Sequence, residues 1–193
     1  MVAVDRFGDV TVVWSDPDQF TTRVYGARFD ASRGDWAPAE RLSSSSAAAV
    51  RDAIATDDAG NVVALWRERD SDADDAPFSV RTARFDVDDG TWGPAQLLEV
   101  DDEATVLEAS VTLDPSGGGF AMWISEGLRS REIHVSRMLA EAEVWGSAEV
   151  IVVDETLTAR DLGVHSDDVG NAIAVWSQHD RDNERIVLAS HYD

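Results

Sequence analysis

The sequence has no cysteine and no lysine. Without thiols there is neither a disulfide framework nor thiol chemistry, and the cysteine count leaves the compartment open. All 16 basic residues are arginine, set against 38 acids, for a formal net charge of −22. Nucleic-acid binding needs clustered cations that neutralise phosphate, so no nucleic-acid partner is expected, and anionic membrane surfaces are disfavoured for the same reason. An all-arginine cation set fits a GC-rich genome or a salty habitat. Long apolar runs are missing too: Val150-Ile151-Val152-Val153 is far too short to cross a bilayer, so no membrane insertion is expected. Also absent are a glycine-rich phosphate loop and a Gly-x-Ser-x-Gly nucleophile turn. His134, His165, His179 and His191 lack zinc-ligand spacing. No cofactor is expected.

What is present is a repeat. Asp-x-x-Gly followed by Trp occurs at Asp5/Gly8/Trp14, Asp57/Gly60/Trp66, Asp114/Gly117/Trp123 and Asp167/Gly170/Trp176. The Asp-to-Gly offset is always three and the Gly-to-Trp offset always six, and successive Trp lie 52, 57 and 53 residues apart. A fixed period of this length is the mark of a tandem array. The 44 % apolar content is enough for a buried core in 193 residues. Met1–Asp5 enters the first unit at once, so no secretory leader is expected ahead of it.

Each unit reads as four short strands, A to D. Strand A ends at the repeated Asp (Val2–Asp5, Ala53–Asp57, Val111–Asp114, Val164–Asp167). The turn after it has Asp first and Gly fourth, the preference of a type I turn, with Pro115 second in the third copy. Turn chemistry, not metal binding, is the reading of these aspartates. Strand B runs into the Trp. Small residues such as Ala64, Ala121 and Ala174 share the indole face, and Leu65, Met122 and Val175 take the other. A strand apolar on both faces is covered on both faces. Strand C ends at Arg28-Phe29-Asp30, Arg84-Phe85-Asp86, Arg137-Met138-Leu139 and His191-Tyr192-Asp193; a tight turn and a second Trp (Trp36, Trp92, Trp145) then open strand D. Strand D continues as Ala39–Leu42, Ala95–Leu98 and Ala148–Val153, and the fourth unit has none.

The expected fold is therefore all-β, a β-propeller of four tandem four-stranded repeats of about 53 residues, the last without its outer strand. The repeats fall at about 1–48, 49–105, 106–158 and 159–193 of a single domain. That domain is either an arc of a larger propeller or a ring whose fourth blade is short. The unpaired outer edge of Arg185–Tyr192 invites self-association.

Asp88-Asp89-Gly90-Thr91-Trp92 and Ser32-Arg33-Gly34-Asp35-Trp36 stand at the C-to-D hairpin. There they resemble the Asp box of the sialidase-like propellers, Ser/Thr-x-Asp-x-Gly-x-Thr-Trp/Phe. The Trp comes one residue early, the leading Ser/Thr is missing, and the third copy lacks both Asp and Gly. Asp57–Trp66 and Asp167–Trp176 resemble the Asp-x-x-Gly-Asn-x-x-x-x-Trp repeats of bacterial exported propeller proteins. Sialidase chemistry would imply three arginines on a carboxylate, a Tyr activated by a Glu, and an acidic proton donor. The only tyrosines are Tyr25 and Tyr192, placed in columns that hold other residue types elsewhere, so no catalytic residue is carried over. Arg28, Arg84 and Arg137, one per unit, read as surface partners of nearby acids.

No carboxylate stands out in an apolar setting that would raise its pKa. No metal site is assigned. Asp70, Asp72 and Asp74 alternate in an acidic loop as calcium ligands do, without the Gly and the twelfth-position Glu such loops use. Connections differ most on one face: Ser15–Thr22, Arg67–Pro77, Ile124–Ser130 and Ser177–Asn183 between B and C, and Ser43–Ala49 and Glu99–Thr105 between D and A. Variable loops on a rigid scaffold are where binding resides. The reading reached is a non-enzymatic, extracellular or cell-surface recognition, adhesion or scaffold module, with ligand and ligand-binding residues unassigned. A carbohydrate-binding lectin and a degenerate relic of a sialidase-like glycoside hydrolase are the alternatives.

Overall fold

The structure, a computed structural model, describes residues 1–17, 21–43, 48–69, 71, 73, 75–98, 104–140, 144–155, 158–180 and 182–193. Among these are seventeen strands and no helix. The first sheet holds β1 (Val2–Val4), β2 (Val10–Pro17), β3 (Thr22–Asp30), β4 (Asp35–Trp36) and β5 (Glu40–Arg41). The second holds β6 (Ala49–Thr56), β7 (Val62–Arg69), β8 (Phe78–Asp86), β9 (Thr91–Trp92) and β10 (Gln96–Leu97). The third holds β11 (Thr105–Leu113), β12 (Gly119–Glu126), β13 (Arg131–Met138) and β14 (Glu149–Asp154). The fourth stops at three: β15 (Arg160–Ser166), β16 (Ala172–His179) and β17 (Arg185–Tyr192).

Every pairing is antiparallel, between strands that follow one another in the chain except that β5 also pairs with β3 and β10 with β8, and the register repeats. Trp14 faces Tyr25, Trp66 faces Arg81, Trp123 faces His134 and Trp176 faces Leu188. The repeated Asp-x-x-Gly closes the A-to-B turn. Asp57 Oδ1 accepts the amides of Gly60 and Asn61 at 2.9 Å each, and Asp167 Oδ1 accepts those of Val169 and Asn171 at 3.0 and 2.9 Å. The glycines of these turns sit at φ between +88° and +97°, where an L side chain is strained.

The sheets stack face to face. Val13, Val24 and Leu42 of the first pack on Ala64, Trp66 and Ala83 of the second. Val63, Leu65 and Val80 of the second pack on Ala121 and Trp123 of the third, and Met122, Ile124 and Ile133 of the third on Ala174 and Trp176 of the fourth. The large-residue face of each sheet thus receives the indole and small-residue face of the next. The inner strands β6, β11 and β15 lie side by side. Four sheets stacked in this way are the blades of a β-propeller.

Three details differ from the sequence reading. Strand A is longer: β6 begins at Ala49 and β11 at Thr105, and a register shift in each separates the first half from the half that carries the alternation. Strand D is broken in the first two blades. Pairing runs one residue past Trp36 and Trp92, as Ala37 and Gly93 donate to Arg28 and Arg84 carbonyls at 2.8 and 2.7 Å, and then meets Pro38 or Pro94, which has no amide to give. Of the strand-B tryptophans, Trp66, Trp123 and Trp176 are buried, but Trp14 is only half-buried, since no blade covers the first sheet's outer face.

Candidate functional site

The inner strands β6, β11 and β15, unlike β1, bulge near their N-terminal ends, on the face where the B-to-C and D-to-A connections emerge. Register shifts fall between Arg51 and Ala53, between Val106 and Glu108, and between Arg160 and Gly163. A bulge re-aims a side chain: Asp52 and Asp161 lie within the register gaps of β6 and β15, and in β11, where Leu107 is the unpaired residue, Glu108 follows it and pairs with Ile124. Side by side on β6, β11 and β15, these three carboxylates form an acidic rim along the inside of the arc.

Each carboxylate is held. The Asp52 side chain is 9 % exposed and accepts the Arg67 amide at 3.0 Å and Arg67 Nε at 2.9 and 3.0 Å. Arg67 then reaches the next blade, donating to the Leu107 carbonyl and lying 5.9 Å over the Phe78 ring. Glu108 accepts the Leu162 amide at 3.0 Å, tying the third blade to the fourth. Arg131 repeats the Arg67 device, binding Glu126 at 2.7 Å and the Ala159 carbonyl at 2.9 Å. Asp161 holds φ at +57°, accepts Ser177 Oγ at 2.7 Å and pairs with Arg185. Asp161 and Arg185 are both more than half exposed.

The rim is electrostatically uneven. Burial raises the Asp52 pKa above the usual carboxylate value, against the opposing pull of Arg67, and the charge of Glu108 adds to the rise. Asp161 moves down, first because Ser177 donates to it and then because of the charge of Arg185. A carboxyl that resists ionisation and one that favours it therefore share the rim. The sequence reading found no acid in a pKa-raising environment; Asp52 corrects it. Its signal was the Arg51-Asp52 pair just ahead of the apolar half of strand A.

Glu68 was also missed. It is fully buried between blades, takes Trp66 Nε1 at 2.9 Å and lies 3.6 Å from Arg81 Nε. Gln178 does the same for Trp176 at 3.0 Å. The position two after the Trp was a readable column of indole acceptors. In the third blade Ser125 holds that place but bonds His134 at 2.7 Å, and Trp123 Nε1 has no hydrogen-bond partner among the described residues.

The arginine column at the end of strand C varies in burial, Arg84 being half-buried and Arg137 exposed. Arg28 is buried, bonded to Asp5 at 2.6 Å and Asp9 at 3.0 Å, and lies 5.2 Å from the Phe85 ring of the next blade. Arg137 packs over Phe120 and Tyr192 and bonds the Tyr192 hydroxyl. Tyr25 stacks on Trp14 at 5.8 Å. The calcium candidates Asp70, Asp72 and Asp74 lie outside the described residues. Among those described, no group of three or more His, Asp or Glu is arranged to hold a metal, and no helix is long and apolar enough to cross a membrane.

No family model matches the sequence, and no curated protein matches it either. Solved structures do match in fold. An ulvan lyase of polysaccharide lyase family 25, bound to a glucuronyl-sulfated-rhamnose unit, superposes with a TM-score of 0.73 at 9 % identity, over 100 % of this chain and 52 % of its own. The Hadza microbial sialidase Hz136 gives 0.64 at 11 % identity, over 98 % of this chain and 43 % of its own. The endo-arabinase from Bacteroides thetaiotaomicron gives 0.54 at 13 % identity, over 99 % and 72 %. The chain thus spans about half the length of the first two. The fold is shared with sialidases, but no family match confirms the Asp-box repeat. These neighbours are named for catalysis, which overturns the expectation that the chain is not an enzyme: nothing in its fold sets it apart from enzymes.

Proposed function

We propose that this propeller recognises carbohydrate along the inner-strand rim. The observation that carries the reading is a carboxylate in or directly after the bulge of three inner strands, Asp52 and Asp161 within the gap and Glu108 next to it, on the face with variable loops. Carboxylates flanked by guanidinium groups supply the directional donors and acceptors that a polyhydroxylated ligand needs. Phe78, with Arg67 and Arg69 against its ring, adds an apolar surface for a sugar face. The carbohydrate-active names of the structural neighbours support this ligand class. The net charge of −22 favours neutral polysaccharides over the anionic one on the ulvan lyase. A ligand of this kind is met outside the cytoplasm, where the reading places the protein.

Isothermal titration against a panel of neutral and acidic polysaccharides tests the reading, with reducing-end and unsaturated-product assays run on the same mixtures so that turnover is seen if it occurs. Binding to a neutral polysaccharide is expected, weakened at least tenfold by Asp161→Asn or Arg185→Gln. Both residues are exposed enough for the variants to fold. Absence of binding across the panel, or binding that both variants leave unchanged, contradicts it.

A further inference from the structure

Within the chain one interface recurs three times, and each end of the arc presents half of it uncovered. The residue opposite the one after the strand-B Trp is Val24, Val80, Ile133 or Val187 in successive blades. The first three are 0 % exposed, covered by the following blade, while Val187 is 75 % exposed. Ile173 and Val175 lie open on the same face, where their counterparts Val63 and Leu65 are fully buried. At the other end Trp36 is 53 % exposed, and Val2 and Val4 stand open at the opposite edge of the same sheet. The counterpart of Trp36, Trp92, lies over Gly26 of the preceding blade so closely that a Cβ there would meet its ring at 3.0 Å.

We propose that two copies of this chain associate head to tail, the first blade of each against the fourth blade of the other, closing a ring of eight blades. The two faces are complementary because they are the two sides of a contact the chain already makes three times. Trp36 of one copy takes the place of Trp92. Ala189 of the other stands in the Gly26 position, opposite Val175 as Gly26 is opposite Val13, and its Cβ requires the indole to sit a few tenths of an ångström farther out than Trp92 does over Gly26. Two copies bring eight blades together and leave no blade face uncovered once both junctions form. Heterologous faces close when the rotation between copies completes a circle, and two half-rings do so. Each copy carries a −22 charge, so screening salt strengthens the association.

Sedimentation equilibrium of the whole chain at moderate salt is expected to give twice the 21.0 kDa chain mass. Trp36→Asp and Val187→Asp each alter an exposed side chain, so each variant should keep the native circular dichroism and sediment as a monomer. Mixing the two restores one unaltered interface, and a heterodimer is expected. A native chain that stays at 21.0 kDa to millimolar concentration overturns the proposal. So does a dimer that survives in both variants, as pairing along the free edge of β17 would give.

Discussion

Asp5, Asp57 and Asp114 each commit one carboxylate oxygen to their own turn and turn the other toward the next blade. A Cβ on Gly60 would meet Asp5 Oδ2 at 2.9 Å and Arg28 Nη2 at 3.2 Å, and one on Gly117 would meet Asp57 Oδ2 at 3.0 Å. The turn half of this chemistry was legible in the spacing Asp-x-x-Gly. The cross-blade half was not, because no sequence period says which atom of one repeat touches the next. Arg28 was misjudged for the same reason: its acid partners were readable, its burial was not. Gly34 provides a control, with φ +74° and nothing near its Cβ position. Gly34→Ala should cost only the left-handed backbone penalty of about 1–2 kcal/mol. Gly60→Ala should cost that and a further ~1–3 kcal/mol of overpacking, as read from urea unfolding. Equal losses would mean that the turn glycines do not space the blades.

At the scale of the strand, alternation located every strand B, since both its faces are apolar and its Trp marks its register. It failed on the first halves of the inner strands, where a bulge shifts the period. Those halves carry the rim, so the candidate site was the part of the fold hardest to see in the sequence. The missing fourth strand D was legible by counting. Its consequence is a groove of about 700 Å³ between the third and fourth blades, lined by Val135, Leu139, Val144, Ile151, Val164 and Tyr192. In the earlier blades the Trp of strand D packs against the preceding blade, as Trp92 does against Gly26. Appending a strand with the sequence of Gly90–Leu98 after Asp193 should raise the melting temperature. The same strand with Ala in place of its Trp should raise it much less. An equal rise would assign the gain to edge pairing and not to a filled groove.

For the whole molecule, four repeats of one spacing give four stacked sheets because each junction buries an indole, Trp66, Trp123 or Trp176, that a single sheet would leave in water. Ligand class was not legible at this scale, since repeat residues specify packing and the binding chemistry sits on irregular positions. Catalytic status was misread: the absence of sialidase motifs was taken as absence of enzyme character, whereas the fold is one that lyases and arabinases also use. The central claim is that the strand-B tryptophans are the packing units between blades and not a ligand-stacking surface. Equilibrium urea unfolding of Trp66→Ala tests it most directly. Trp66 is 0 % exposed, so loss of its transfer energy plus the cavity left behind should lower stability by about 3–5 kcal/mol. A loss below about 1 kcal/mol, the size of an ordinary surface substitution, would contradict the account.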